Sequence, residues 1–319
     1  MKAVVFDEVL KVQERTVPVL EGDECVVRLL KAGICNTDLE ITRGYFGFRG
    51  VLGHEFVGVV ESCHDPLWLG KRVVGEINAG CGRCEFCLKE LQRHCPHRTV
   101  LGILNRDGAF QEYFRLPQQN LHMVPDSVSN DEAVFVEPLA AACEVLDQVS
   151  ILPSTRVAVL GDGKLGLLVT MVLGQTGCRL SLIGKHEEKM AVVKDHVLTL
   201  VNVDSVTALR REFDVVVEAT GSPTGWDLAL GLLRPRGTLV LKSTFHGQIA
   251  FNPAPLVVDE ISVVGSRCGR FEPALKMLES GKIHPTRLLQ HSFPLEKAVE
   301  AFELAQRPGV LKVFLEPGG

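Results

Sequence analysis

Hydrophobic and polar positions follow one pattern over the first third of the chain and a different one after it. From residue 1 to about residue 125, short apolar or alternating segments are separated by Gly, Pro and Asp. This pattern is typical of an irregular, mostly antiparallel β domain. Its clearest predicted strands are Glu24–Leu30, Phe56–Glu61, Arg72–Glu76 and Phe110–Leu116.

From about residue 155 to residue 266, apolar strands alternate with helical segments. This alternation predicts an α/β domain with a doubly wound parallel sheet. The predicted strands are Arg156–Leu160, Leu180–Ile183, Thr199–Val203, Asp214–Glu218, Thr238–Leu241 and Ile261–Val264. The predicted helices are Lys164–Thr176, Glu187–His196 and Ser205–Glu212.

The C-terminal segment predicts two further helices, Pro273–Glu279 and Leu295–Ala305, and a last strand, Leu311–Leu315. We expect this segment to return to the first domain. Residues 1–125 and 271–319 then form a catalytic domain and residues 126–270 a dinucleotide-binding domain, with the active site in the cleft between them.

Composition narrows the class of protein. A chain of 319 residues suits two domains, and 46% apolar with 23% charged residues is ordinary for a globular protein. A net charge of −5 argues against a nucleic-acid or anionic-membrane partner. The sequence contains neither a secretory signal nor an apolar run long enough to span a membrane. We therefore expect a cytoplasmic protein.

A glycine-rich turn joins the first strand of the predicted parallel sheet to a helix. Gly161, Gly163 and Gly166 form the pattern G-x-G-x-x-G, in which Lys164 and Leu165 open the helix. Glycines here permit a tight turn and a close approach of the backbone to a pyrophosphate, whose charge the helix N-terminus attracts. Because the pattern lies between strand and helix and begins a six-strand alternation, it predicts a dinucleotide-binding loop.

The end of the second strand bears on the choice between NAD and NADP. A carboxylate that binds the adenosine ribose is expected there, but the sequence has Gly184, followed by Lys185 and His186. Without that carboxylate a 2′-phosphate is not repelled, and Lys185 can pair with it. The sequence therefore favours NADP. NAD stays open, because Gly184 can be a simple turn and Glu187 and Glu188 follow closely.

Four cysteines, Cys81, Cys84, Cys87 and Cys95, lie within fifteen residues. In a long chain without a signal segment, this spacing predicts a metal site rather than disulfides. Four thiolates fill the shell of a tetrahedral zinc ion, so the predicted site is structural. An iron–sulfur cluster is the minor alternative. A zinc-finger nucleic-acid binder conflicts with the acidic charge and the α/β pattern.

Two further segments complete a set of motifs that resembles a known family. Gly33-Ile-Cys-Asn-Thr-Asp and Gly53-His-Glu-Phe-Val-Gly-Val-Val precede the four cysteines, and Glu137-Pro-Leu-Ala and the glycine-rich loop follow them. This order, over essentially the whole chain, resembles the zinc-containing medium-chain dehydrogenases, which include alcohol, sorbitol, glucose and threonine dehydrogenases. The resemblance implies a Rossmann domain and a mostly-β, GroES-like catalytic domain.

The same resemblance implies the roles of individual residues. Cys35 and His54 are expected to bind a catalytic zinc, and Glu55 and Glu137 to supply the remaining carboxylates, either as ligands or as partners of ligands. Glu137 in Glu-Pro-Leu is similar to the polyol and sugar dehydrogenases. Thr37 corresponds to the hydroxyl that relays a proton from the substrate. The resemblance also places Glu40 at the end of that relay, although Glu40 fits an exposed acid on a helix equally well. It places Thr220 beside the cofactor.

The predicted activity is hydride transfer between an alcohol, polyol or sugar and a nicotinamide cofactor, with one catalytic and one structural zinc per chain. A carbonyl reductase uses the same residues in the opposite direction. A catalytically silent, zinc-stabilised binding protein on the same scaffold is a third hypothesis, disfavoured because Cys35, Thr37 and His54 are all present. We expect a homodimer or homotetramer.

Overall fold

The computed structural model describes residues 1–244 and 252–318, and the chain divides into two compact units, Met1–Glu137 with Phe271–Gly319, and Pro138–Arg270. The strands are β1 (Lys2–Asp7), β2 (Val9–Glu14), β3 (Glu24–Gly33), β4 (Gly50–Val51), β5 (Glu55–Ser62), β6 (Arg72–Gly75), β7 (Asn78–Ala79), β8 (Thr99–Val100), β9 (Tyr113–Pro117), β10 (Leu121–Met123), β11 (Arg156–Leu160), β12 (Arg179–Gly184), β13 (Thr199–Asn202), β14 (Phe213–Glu218), β15 (Leu233–Leu241), β16 (Ser262–Gly265), β17 (Leu289–Pro294) and β18 (Lys312–Glu316). The helices are α1 (Asn36–Ile41), α2 (Glu85–Leu88), α3 (Asn130–Ala133), α4 (Val136–Gln148), α5 (Lys164–Gly174), α6 (Glu187–Met190), α7 (Thr224–Leu232), α8 (Ala254–Val258), α9 (Phe271–Glu279) and α10 (Ala298–Ala305). Among the described residues, none of these helices has the length and apolar character needed to cross a bilayer.

The first unit is built around the long strand β3, most of whose residues are buried. It pairs with β5, β9 and β18 in a seven-stranded sheet whose main path runs β10-β6-β5-β3-β18-β17, and a three-stranded sheet has the order β2-β1-β4. The C-terminal strand β18 pairs antiparallel with the end of β3. This irregular, mostly-β architecture confirms the predicted GroES-like fold.

Strand pairing in the first unit brings two sequence motifs to one end of the sheet. The register pairs Gly33, the last residue of β3, with Glu55, the first residue of β5. A Cβ atom at position 33 would lie 2.5 Å from the Glu55 carboxylate, so only glycine leaves room for that side chain. The residues that follow β3 and those that precede β5 therefore meet at this edge.

The second unit contains a six-stranded sheet in the order β13-β12-β11-β14-β15-β16, and every adjacent pair is parallel. The predicted Rossmann sheet is confirmed. The chain order reverses between β11 and β14, and the loop that follows β11 lies at this switch point. Open α/β sheets bind their ligands at such points.

Several predicted elements differ from the structure. Helices α4 and α7 were not predicted, and the predicted helix Ser205–Glu212 is a 3₁₀ helix over Val203–Leu209. That helix cannot continue because Arg210 is extended and Arg211 has a left-handed φ of 60°. The predicted helix Glu187–His196 is α6 followed by a 3₁₀ segment, Ala191–His196.

A disulfide that the sequence analysis did not predict joins Cys25 in β3 to Cys63, the residue after β5. The two Cα atoms are 4.5 Å apart, because Val26 pairs with Ser62 in the adjacent register position. The other eight cysteines, all in the described part of the chain, are not joined in disulfides.

Candidate active site and metal clusters

The first cluster is the four-cysteine loop, residues 81–95, held by the one-turn helix α2 and a 3₁₀ turn at Gln92–His94. Its four Sγ atoms all lie within 4.8 Å of one another. The Sγ atom of Cys84 is 3.5 Å from that of Cys87 and 3.6 Å from that of Cys95. A tetrahedral zinc ion with Zn–S bonds of about 2.3 Å requires sulfur–sulfur distances of about 3.8 Å. The four thiols fit a zinc ion with a closed coordination shell.

Backbone amides stabilise negative charge in this loop. The N–H groups of Cys81 and His97 donate to the Sγ atom of Cys95 at 3.4 and 3.3 Å. Hydrogen bonds from the backbone, first from Arg83, lower the pKa of Cys81 to about 6. Burial and the neighbouring thiols raise the pKa of Cys87 to about 11. The backbone hydrogen bonds to Cys81 and Cys95 thus suit thiolates, the form in which cysteine binds a metal ion.

The second cluster, hereafter the buried cluster, consists of Cys35, His54 and Glu55. One ligand atom from each lies within 4.8 Å of the others, and both His54 and Glu55 are buried. Cys35 is the N-cap of α1, immediately after β3, and the other two residues stand at the start of β5. A thiolate, an imidazole and a carboxylate are together a donor set that suits zinc.

Asp38 connects the two segments of the buried cluster. Its fully buried carboxylate accepts hydrogen bonds from the backbone N–H of Cys35 at 2.8 Å and of Gly53 at 3.2 Å. Its Oδ1 atom also lies 3.2 Å from Nδ1 of His54. A carboxylate on one imidazole nitrogen orients the other nitrogen towards a metal. Asp38 thus orders the loop and also lies where it can orient a candidate ligand.

Lys312 is a buried charged residue beside this cluster that the sequence motifs did not indicate. It begins β18, and only 2% of its surface is exposed. Its Nζ atom donates to Oε2 of Glu55 at 2.5 Å and lies 5.8 Å from the centre of the Phe135 ring. The only sequence signal is a lysine inside an apolar C-terminal strand. It could not identify a partner 257 positions away.

The buried cluster attracts positive charge. Burial disfavours the charged form of Lys312, yet Glu55, Cys35 and Glu137 raise the pKa of its ammonium group. Burial opposes the charged form of His54 as well, and Asp38 and Cys35 nevertheless hold its pKa well above the usual value. The groups that raise these two pKa values, Asp38, Glu55, Glu137 and the Cys35 thiol, place negative charge around a buried site, and such charge favours a divalent metal ion.

Other predicted residues of this site are less closely grouped. Thr37 places its Oγ1 atom 3.7 Å from the Cys35 Sγ atom. Glu137 is not among the atoms within 4.8 Å, although it acts electrostatically on Lys312. Glu40 accepts a hydrogen bond from Arg43 at 2.7 Å in a half-exposed ion pair. Metal binding by Glu137 and proton relay by Glu40 both stay predictions.

In the second unit, the glycine-rich loop has the geometry of a dinucleotide site. Helix α5 begins at Lys164 and Leu165 with Gly163 as its N-cap, and no side chain caps its first N–H groups. A Cβ atom at Gly163 would meet no other atom within 4 Å, so open space lies in front of these groups. At Gly166 a Cβ atom would lie 2.0 Å from the carbonyl oxygen of Gly161. The loop fits a pyrophosphate in front of the helix.

The structure corrects one premise about the ribose end of this site. Gly184 supplies no carboxylate at the end of β12, and this absence favoured NADP, but another residue supplies one there. The Asp162 carboxylate, from within the glycine-rich loop, accepts hydrogen bonds there from the backbone N–H groups of Lys185 and His186. The Lys185 side chain is exposed.

Thr220 follows β14 in the same unit. Its backbone N–H and its hydroxyl both donate to Oε1 of the buried Glu218, at 2.7 and 2.5 Å. Glu218 also accepts a hydrogen bond from the Ser243 hydroxyl. This network fixes the loop at the carboxyl end of β14, and a contact of Thr220 with the cofactor stays a prediction.

Comparison with known proteins gives consistent matches for both units. Residues 21–126 match the alcohol dehydrogenase GroES-like domain and residues 165–280 match the zinc-binding dehydrogenase domain. A sorbitol dehydrogenase of Halalkalibacterium halodurans is 28% identical over 96% of this chain and 95% of its own length. The alcohol dehydrogenase TADH of Thermus sp. ATN1 is 30% identical, with a TM-score of 0.92 and full coverage of both chains.

Two further solved structures contain a nicotinamide cofactor. The alcohol dehydrogenase RspB of Escherichia coli, complexed with NADH, is 26% identical with a TM-score of 0.92. A zinc-binding dehydrogenase of Sinorhizobium meliloti, bound to NADP, is 25% identical with a TM-score of 0.91. Each alignment covers 99% of both chains. With two matching domains and full-length similarity to a solved relative at 30% identity, the chain belongs to the family of zinc-containing medium-chain dehydrogenases.

Proposed function

We propose that this protein is a zinc-dependent alcohol or polyol dehydrogenase that transfers a hydride between a substrate CH–OH carbon and a nicotinamide cofactor. The observation that carries the proposal is the buried cluster of Cys35, His54 and Glu55 in a chain of this family. The unit with the two zinc motifs is the proposed catalytic domain, and the unit with the parallel sheet is the proposed cofactor domain.

The polyol class follows from the relatives and from one motif. Curated relatives include sorbitol dehydrogenases and a D-arabinitol dehydrogenase. The Glu137-Pro-Leu motif is similar to the polyol and sugar branch of the family. The same residues support carbonyl reduction, so the physiological direction depends on the substrate and cofactor concentrations.

Cys35, His54 and Glu55 would hold the catalytic metal, with Glu137 as a further carboxylate of that site. When bound there, zinc supplies a Lewis acid that lowers the pKa of the substrate hydroxyl. Asp38 keeps the imidazole of His54 oriented, and Lys312 holds one oxygen of Glu55. Three protein ligands leave a position for substrate, whereas the four-cysteine loop would hold a second, structural zinc with no open position.

Proton movement is assigned to the hydroxyl of Thr37. Its Oγ1 atom lies beside the Cys35 sulfur, and a hydroxyl can accept one proton while donating its own. The substrate hydroxyl must lose its proton for a carbonyl to form as the hydride leaves. Thr37 would accept that proton and pass its own to the next group of the relay, whose predicted end is Glu40.

Assembly as a homodimer or homotetramer is part of the proposal. Strand β16 ends the order of the six-stranded sheet, and the side chain of Val263 in it is 40% exposed. In the same unit, Val257 and Val258 of α8 are 76% and 79% exposed. An exposed edge strand with apolar neighbours favours pairing with a second copy. Light scattering of the purified protein tests this, and a monomer at all concentrations would contradict it.

A substrate screen tests the activity. Zinc-loaded protein is incubated with polyols, sugars, primary alcohols and threonine, separately with NAD and with NADP. Cofactor reduction is followed by the absorbance of the reduced nicotinamide. We expect turnover of a secondary alcohol of the polyol class. Cofactor binding without turnover of any alcohol, or of the matching carbonyls in reverse, would favour a catalytically silent binding protein.

A further inference from the structure

The end of β12 contains a carboxylate that the chain supplies from an unusual position. In a Rossmann fold the acid that binds the adenosine ribose ordinarily comes from the second strand itself. Here that strand ends in Gly184, and the acid comes from Asp162, between the first two glycines of the glycine-rich loop. Leu160 and Ile183 are neighbours in the parallel register, so the residues that follow them are brought together.

The contacts of Asp162 fix its position. Its Oδ2 atom accepts hydrogen bonds from the backbone N–H groups of Lys185 and His186, each at 2.6 Å. Nδ1 of His186 lies 3.0 Å from the same oxygen. All the hydrogen bonds to this carboxylate from residues that the structure describes end on Oδ2. Oδ1 is therefore the oxygen with acceptor capacity for a ligand.

Gly184 is matched to this arrangement. A Cβ atom at position 184 would lie 2.7 Å from both the Cβ and the Oδ2 atoms of Asp162. Cβ atoms essentially never lie that close to an atom of a residue that is not their chain neighbour. The two positions therefore cannot both carry a side chain without a shift of the backbone. A carboxylate at position 162 and one at position 184 exclude each other. The chain retains an acid at this place while changing the residue that provides it.

Asp162 is held in its charged form. Burial alone raises the pKa of this carboxyl group, but the backbone hydrogen bonds from His186 and Lys185 outweigh burial and bring the pKa below its usual value. The group is therefore an anion at neutral pH. A 2′-phosphate carries about −1.5 to −2 charges at that pH, by analogy with phosphomonoesters. Two anions that meet in a partly buried site disfavour each other.

Lys185 does not offset this repulsion. Its backbone N–H is already used by Asp162, and its side chain is exposed, where an ammonium group is a weak and flexible ion-pair partner. Nδ1 of His186 lies 3.0 Å from Oδ2 of Asp162, so this ring nitrogen is already engaged by the carboxylate.

We propose that Asp162 is the residue that sets cofactor specificity in this chain: it accepts a hydrogen bond from an adenosine ribose hydroxyl and repels a 2′-phosphate, so that NAD is preferred over NADP. This inference rests on the proposed dinucleotide-binding function and specifies which dinucleotide is bound.

Direct titration of the full-length, zinc-loaded protein with NADH and with NADPH tests the inference without a substrate. A charge-assisted hydrogen bond corresponds to about a ten- to hundredfold change in affinity. We expect wild type to bind NADH at least about tenfold more tightly than NADPH. Asp162→Asn retains the shape and loses the charge. It should reduce this preference by about ten- to hundredfold, chiefly by improving NADPH binding.

A double variant tests the position of the carboxylate. Gly184→Asp alone should collide with Asp162 and weaken the binding of both cofactors. Gly184→Asp combined with Asp162→Gly moves the acid back to the strand end and should restore the preference for NADH. Lys185→Ala is the matched control, and it should leave the ratio of the two affinities within about twofold of wild type.

The outcomes separate this inference from the proposed function. Equal affinities for NADH and NADPH in wild type, or a preference for NADPH, would overturn the inference and leave the dehydrogenase proposal standing. An unchanged ratio in correctly folded Asp162→Asn would also overturn it. If wild type binds neither dinucleotide, both proposals fail.

Discussion

The four-cysteine loop and the buried cluster are both candidate zinc sites, but the chain builds them in different ways. The loop takes all of its ligands from fifteen consecutive residues, and three of its four cysteines are partly exposed. The buried cluster takes its ligands from the ends of two paired strands. Asp38 and Lys312 support it from α1 and β18. A site with only a structural role thus needs local spacing of its ligands, whereas a site for chemistry needs surrounding residues that hold its charges.

The two clusters also differ in their donors. Four equivalent thiols can saturate a tetrahedral ion, which then has no further chemistry to perform. One thiol, one imidazole and one carboxylate leave a coordination position open. Two neighbouring charged side chains, Asp38 and Lys312, contact the imidazole and the carboxylate and can fix their orientation. Variants that affect one cluster and not the other therefore test the comparison.

Cys35→Ser should have the largest effect on activity. Hydroxyl oxygen is a poor zinc ligand compared with a thiolate, so about one of two zinc ions should be lost and turnover should fall by at least about a thousandfold. The fold should persist, because Asp38 still accepts the backbone N–H at this position. Metal analysis and steady-state kinetics measure the two effects. Cys178→Ser, at a buried free cysteine in the other unit, is the control. Full zinc content and activity in Cys35→Ser would contradict the catalytic assignment.

Lys312→Met should be the most destabilising change near the buried cluster. Removing one partner of a buried ion pair leaves the other charge uncompensated, at a cost of about 3–5 kcal/mol. The control is Lys89→Met in the four-cysteine region. Its ion pair with Glu85 has a 2.6 Å separation but is exposed, so the loss should be under about 1 kcal/mol. Chemical denaturation measures both. The double variant Lys312→Met/Glu55→Gln should recover part of the loss, and equal effects in the two single variants would contradict the assigned difference between the clusters.

Cys84→Ser should reduce stability while preserving turnover in the protein that remains folded. Loss of a metal that only organises a loop costs about 2 kcal/mol, equivalent to a fall in the melting temperature of roughly 4–8 °C for a unit of this size. Thermal unfolding and activity per folded molecule are the measurements. A variant with wild-type stability and no turnover would show that the loop acts in catalysis.

The sequence predicted the parts of this molecule whose signals are local. Strand Arg156–Leu160, the position of the glycine-rich loop and the parallel, doubly wound sheet agree with the structure, because each depends on short apolar runs next to turns. The four cysteines were also predicted to lie together, because they are close in the sequence. Helix α4 was missed because residues on all its sides are buried through Val145, so it lacks the amphipathic period on which sequence interpretation relies.

Residues whose role depends on distant partners could not be predicted in this way. Lys312 meets Glu55 only because β18 pairs with β3. Asp162 meets the end of β12 only because β11 and β12 are adjacent. A signal for Asp162 did exist: an acid inside the glycine-rich loop accompanied a missing acid at the strand end. Using that signal requires knowing that the two positions compete for one space.

Asp38→Asn should have the smallest effect of these variants and should test how the buried cluster holds its metal. The carboxylate uses Oδ2 for the Cys35 N–H and Oδ1 for the Gly53 N–H and the His54 ring. An amide offers one acceptor oxygen and one donor nitrogen, so at least one of these three groups loses its partner. Loss of such support lowers metal affinity by about 10- to 100-fold.

The matched control for Asp38→Asn is Glu40→Gln, two positions further along α1, where the carboxylate pairs with Arg43 in a half-exposed position. Competition with a chromophoric chelator resolves the affinity of the weaker zinc ion from that of the ion in the four-cysteine loop. In Asp38→Asn the weaker ion should be released at lower chelator concentration, and in Glu40→Gln its release should match wild type. Unchanged zinc affinity in Asp38→Asn would mean that the imidazole needs no carboxylate to be oriented. A turnover defect in Glu40→Gln at full zinc occupancy would instead support its predicted place in the proton relay.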